Sequence, residues 1–167
     1  MNLLLKTFIF PALLILLSGN AVCQKTGNVK EGLRNSDIPH STLVKIEVAA
    51  FKALFKENAS ATKEKATYYF LSLTDSINKS LPSVLDKLKR NSPEVKDISV
   101  FNSMTDQEKS EIDFLSFNIS GVIVSGNKAS VYCGYYEGNV SSSGNVIELR
   151  KRFGKWRVVS NKMMWIS

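Results

Sequence analysis

The residue types most able to bind or react gather late in the chain. Tyr132, Tyr136, Glu137, Arg150 and Arg152 fall between positions 132 and 152, and Trp165 stands close to the C-terminus. Tyrosine, arginine and tryptophan are the side chains that dominate binding hot spots. If Tyr135 pairs with Ile147 across a hairpin, Tyr132 lies beside Arg150, with Tyr136 and Glu137 at the loop end. These residues then form a candidate binding face. A solvated strand face, with arginine stems lying over tyrosine rings, accounts for the same pattern without a ligand. Glu137 as a general acid or base would want a second carboxylate or a histidine beside it. None is in view, so no catalytic residue is assigned.

Several chemistries lack their parts. The chain has one histidine, His40, and two cysteines, Cys23 and Cys133. No spacing of His, Cys, Asp or Glu suits a metal site, and no metal or cofactor is expected. Gly138 and Gly144 are not followed by Gly-Lys-Ser/Thr or a helix, so they do not make a phosphate loop. No G-x-S-x-G elbow is present. Cys133 lies in an alternating pattern and reads as a buried thiol, because no basic partner stands ready to activate it. N-x-S/T sequons begin at Asn58, Asn78, Asn118 and Asn139, and they matter only in a eukaryotic secretory route.

The first residues, MNLLLKTFIFPALLILLSGNAVCQ, place one lysine before an apolar run and small residues after it. That is the pattern of a signal peptide, expected over 1–23 with cleavage after Cys23. Pro11 interrupts the run, which is short against the roughly 20 residues a membrane span needs. A retained anchor and a lipid-modified Cys23 rank below simple export to a periplasmic or extracellular space. Export removes Lys6 and lowers the formal net charge from +7 to +6. Basic and acidic residues are interleaved, so this excess favours solubility and weak attraction to anionic surfaces rather than a nucleic-acid partner.

A polar, aperiodic leader is expected over 24–40, and a single domain over 41–167. Ser41 or Thr42 can cap a helix whose stripe runs Val44, Val48, Phe51 and Phe55. Tyr68–Leu73 reads as a strand. Pro82 opens a short helix through Leu88, Asn91-Ser92-Pro93 stops it, and Val95–Phe101 reads as a second strand. Thr105 and Glu108 have capping-box spacing for one or two helical turns.

From Phe114 onward the pattern alternates. Leu115, Phe117 and Ile119 give way to Val122 and Val124, a change of parity that calls for a bulge at Gly121. Ser125-Gly126-Asn127 turns the chain. Val131, Cys133, Tyr135, Ile147, Leu149 and Phe153 are expected inside, with Glu148, Arg150 and Arg152 outside. Gly138 and Gly144 bracket a polar loop, and Gly154-Lys155 makes a glycine-first hairpin turn. Trp156 and Val158 then return on the buried face, and Met163–Ile166 ties into the sheet or its edge.

Two resemblances follow from these residues. The helix-first, meander-last order, ending in Phe153-Gly154-Lys155-Trp156-Arg157-Val158-Val159, resembles the cystatin-like or NTF2-like α+β class. That likeness implies a curved antiparallel sheet wrapped on the N-terminal helix, often with a cone-shaped pocket, in enzymes and in many non-catalytic modules. The acid/base aspartate and histidine of the enzymatic members have no counterpart here. Tyr68–Leu73, Leu81-Pro82-Ser83, Gly134–Gly138, Ser141–Gly144 and Lys162–Ser167 are similar to small exported bacterial proteins of unknown function. The reading is an exported, non-catalytic binding or interaction module for a small molecule or a protein, with a homodimer open. The alternatives are a small-molecule enzyme using Glu137 or a tyrosine in a sheet pocket, and a lipid-anchored envelope protein.

Overall fold

Apolar residues recur on nearly every turn from Leu43 to Phe55, and this segment forms the long helix α1 (His40–Glu57). A computed structural model describes residues 37–74, 77–138 and 141–167. The signal pattern and most of the leader lie outside the described residues. The helix starts earlier than its expected cap. Pro39 takes the N-cap position, no side chain caps the end, and His40 is the first helical residue instead of part of the leader. Val44, Phe51 and Phe55 are buried as the stripe requires, and Ile46, Ala50 and Leu54 widen it.

The protein is α+β. After α1 come β1 (Tyr68–Leu73), α2 (Leu81–Leu88), β2 (Glu94–Asp97), α3 (Ile98–Ser103), α4 (Asp106–Ser110), β3 (Phe114–Ser125), β4 (Lys128–Glu137), β5 (Ser141–Arg152) and β6 (Lys155–Ile166). The strands form one open sheet in the order β2-β1-β3-β4-β5-β6. The sheet is mixed, where an antiparallel one was expected: β1 runs parallel to both β2 and β3, and β3 to β6 form an antiparallel meander. The reason lies in the connections. Helix α2 carries the chain back between β1 and β2, and such a crossover returns it in the same direction. Tyr69, Phe70 and Leu71 are all buried, because helix α1 covers one face of β1 and α3 the other. A continuous apolar run is the mark of a strand covered on both sides.

The expected strand Val95–Phe101 divides at Asp97. Its carboxylate accepts a hydrogen bond from Ser99 N (2.8 Å), which ends β2 and starts α3. The Thr105–Glu108 capping box forms as its spacing requires, with Thr105 N donating to Glu108 Oε2 at 2.7 Å. The register of β3 on β4 slips between Ile119 and Gly121, so the bulge stands where the parity change placed it. In the β5–β6 hairpin, Arg152 pairs with Lys155, so the turn residues are Phe153-Gly154, one position earlier than expected. Both have positive φ, 49° and 75°, as a type I′ turn needs. Phe153 therefore points into solvent and not into the core. The β5–β6 ladder itself slips twice, at Gly144/Asn145 and at Glu148/Leu149.

Candidate functional site

Helix α1 packs on one face of the sheet, the inner face. Strand alternation sends Val131, Cys133 and Tyr135 of β4 inward, and Tyr132, Gly134 and Tyr136 outward. On the outer face, Phe101 and Phe114 cover Phe70, their ring centroids 5.2 and 5.8 Å from it, so the β1 end is closed. The β4–β6 end is open.

One row crosses this open part. Asn118 of β3 pairs with Gly134, Gly134 with Gly144, and Gly144 with Trp165 of β6. The two glycines leave a floor of bare backbone. Tyr132 and Tyr136 stand on either side of Gly134 along β4, 44% and 47% exposed. Trp165 closes a third side. Its indole leans over Gly144 so closely that a Cβ there would meet Nε1 at 2.2 Å. Ser120, Ser142 and Asn118 supply polar edges to a groove of about 500 Å³. Among the described residues that line the groove, none is Asp, Glu, Lys, Arg or His, although the chain carries a net charge of +7.

Of the sequence-predicted site residues, the structure brings Tyr132, Tyr136 and Trp165 together and parts the other three from them. Glu137 lies on the inner face. It is buried, and its Oε1 accepts the backbone N–H of Thr62 at 2.9 Å. It therefore ties the turn at Ala61–Glu64 to the sheet and does not face the tyrosines. Arg150 does not lie beside Tyr132: Tyr132 pairs with Val146, and Arg150 pairs with Lys128 and Arg157. The expected pairing of Tyr135 with Ile147 is replaced by Tyr135 with Ser143, because β5 already begins at Ser141. Arg150 shares the outer face but stands four residues from Val146, roughly 13 Å along the strand. Arg152 lies farther out, beside the hairpin turn.

Gly134, Gly144, Asn118, Ser120 and Ser142 were not expected in the site. Their signal was the shared parity of Gly134 with Tyr132 and Tyr136, which Gly144 matches only once it belongs to a strand.

The inner face is packed. Rings of Phe55, Tyr69 and Phe117 meet at centroid distances of 4.8 to 5.0 Å, and Tyr135 extends the group. Toward the C-terminal end of α1 the packing turns polar. Ser143 Oγ donates to Asn145 Oδ1 (2.8 Å), Asn145 Nδ2 to Asn161 Oδ1 (2.9 Å), and Asn161 Nδ2 to Glu57 Oε2 (3.0 Å). Cys133 is buried, and burial pushes its thiol up to about 12, against a smaller downward pull from a backbone contact with Ile147. Such a thiol stays protonated and unreactive.

Glu47, on the buried side of α1, carries a carboxyl shifted upward. Burial raises it from 4.5 to about 7, and the Ser80 hydroxyl beside it works in the opposite direction. That hydroxyl gives its proton to Ile77 O (2.7 Å), and neither Glu47 oxygen has a hydrogen-bond partner among the described residues. Among the described residues, no group of three or more His, Cys, Asp and Glu could hold a metal ion. No described helix is long and apolar enough to cross a membrane.

No family model, curated protein or solved structure matches this chain.

Proposed function

We propose that the protein is an exported, non-catalytic binding module whose outer sheet face holds an uncharged, hydroxyl-bearing ligand of carbohydrate type. One observation carries this reading: among the described residues, the aromatic groove over Gly134 and Gly144 is lined without a single Asp, Glu, Lys, Arg or His in a basic protein. A charged ligand would find no counter-charge there. A sugar ring offers apolar C–H faces for Tyr132, Tyr136 and Trp165 and hydroxyl edges for Asn118, Ser120 and Ser142. The groove's size, about 500 Å³, falls within the usual range of small-ligand sites. Trp165 over Gly144 also shields a weak point of the strand. That role needs neither tyrosine, and both are left half exposed.

The enzyme alternative asks for a pocket between helix and sheet. The stack of Phe55, Tyr69 and Phe117 fills that space, and Glu137 is engaged with Thr62, which favours the binding reading. Relationship to the cystatin-like or NTF2-like class, and export through the N-terminal signal pattern, belong to the same proposal. An intact-mass spectrum of the protein from its host's envelope tests the export step, since acyl additions at Cys23 would replace it with a lipid anchor.

The binding test is calorimetric titration with soluble chito-, cello- and malto-oligosaccharides. Saturable binding to one series is expected. Tyr132→Ala combined with Tyr136→Ala should weaken it by roughly tenfold or more. Absence of saturable binding to every series would overturn the carbohydrate assignment.

A further inference from the structure

We infer that the tip of the β5–β6 hairpin docks on an anionic lipid bilayer, with Phe153 entering the boundary between headgroups and acyl chains. Phe153 is 100% exposed at the apex of the turn. Its backbone holds φ at 49°, the left-handed region that a type I′ turn reserves for Asn, Asp or Gly and that a bulky residue adopts under strain. Asparagine here would relieve the backbone and remove an apolar ring from water. A local rule broken without gain inside the fold points to a gain outside it.

The surrounding charges give the partner its sign. Lys128, Arg150 and Arg157 lie directly opposite one another across β4, β5 and β6, and Arg152 pairs with Lys155 in the same hairpin. Like charges facing across a ladder destabilise a sheet. None of the five forms an ion pair with a described residue. The nearest acid on that face, Glu148, accepts a hydrogen bond from Ser130 Oγ (3.0 Å). On the other side of the tip, Lys45, Lys52 and Lys87 join Lys155 and Trp156 around a groove of about 560 Å³. An exposed ring flanked by cations on two sides is complementary to a surface that is anionic outside and apolar beneath. Arginine stems can follow the ring inward while their guanidinium groups stay at the phosphates. The inference is independent of the carbohydrate groove, which this tip does not line.

The test is sedimentation of the full mature chain with vesicles of phosphatidylcholine containing phosphatidylglycerol, and with pure phosphatidylcholine vesicles. Binding to the first and little to the second is expected. Phe153→Asn suits the turn and should fold at least as well, yet should lower partitioning by roughly tenfold. Arg150→Gln with Arg157→Gln should lower it by a similar factor. In a Phe153→Trp variant the emission should shift to the blue on adding anionic vesicles. Failure to sediment with anionic vesicles would overturn the proposal. So would undiminished binding by Phe153→Asn, which would show that the cations alone hold the vesicle and the ring does not enter it.

Discussion

Gly134 of β4 lies directly opposite Gly144 of β5, so no side chain rises from two adjacent strands at the centre of the outer face. The tyrosines and Trp165 become walls because these positions are floor. A Cβ on Gly134 would meet Ser143 O at 2.2 Å, and that backbone cannot swing away as a side chain can. Gly134→Ala should therefore lower stability by about 2 kcal/mol or more in urea unfolding. Gly121→Ala, whose added atom finds only Tyr132 Cδ2 at 3.8 Å, should stay within about 1 kcal/mol of the parent. Equal costs for the two variants would contradict the close approach at Gly134.

Gly144→Ala should act on a different observable. Its new methyl would occupy the place of the Trp165 indole, which is exposed enough to move. The indole should swing into water, and tryptophan emission should shift to the red. Trp156 stays buried and gives a constant background.

Glu47 should make stability depend on pH. Its folded pKa of about 7 lies above the ordinary 4.5, so the native state holds a proton that the unfolded chain has already released. Stability attributable to this group is fully present below pH 4.5 and is lost as pH rises to about 7, a fall of about 3 kcal/mol. Denaturation midpoints across that interval should decline for the parent and decline much less for Glu47→Gln. Parallel curves would refute the assignment.

Cys133 should resist thiol reagents in the native state, given a pKa near 12 and a buried side chain. In a chain whose Cys23 is replaced by serine, labelling at mildly alkaline pH should proceed only at the rate of unfolding. Fast labelling of the folded protein would show an accessible thiolate.

Glu137→Ala should free the turn that Glu137 holds. Thr62 N would keep only the nearby Ser60 Oγ at 3.0 Å, and its amide should exchange with deuterium faster than in the parent. A stability loss of about 1 to 3 kcal/mol is expected. Unchanged exchange at Thr62 would show that the bond contributes nothing there.

The inward and outward assignments of the meander were legible because alternation has a period of two. The expected β4–β5 register was wrong by four residues, yet an even slip keeps every side chain on its face. Tyr135, Ile147 and Leu149 are therefore inside as read, while Tyr132 loses Arg150 as a neighbour and gains Val146. Gly144 reads as a loop residue in the sequence, and its place in the floor follows only from β5 starting at Ser141. Phe153 was misplaced by a turn set one residue late, which inverted its direction. The parallel pairing of β1 was beyond local pattern altogether, since it depends on where α2 returns the chain. Glu137 obeyed its strand's parity, but its partner, Thr62, is 75 positions away and leaves no mark nearby.

The two slips in the β5–β6 ladder bear on how copies of this protein meet. β6 is the last strand of the sheet and ends in the exposed run Met163–Ile166. A long apolar border of this kind would ordinarily template another strand and seed fibrous association. Each slip leaves an extra residue, Val159 or Met164, out of step with its neighbours. The longest stretches in unbroken register, Lys155–Val158 and Ser160–Met163, are four residues each. An incoming strand would lose alignment within about 13 Å, which is too short to hold by backbone pairing alone.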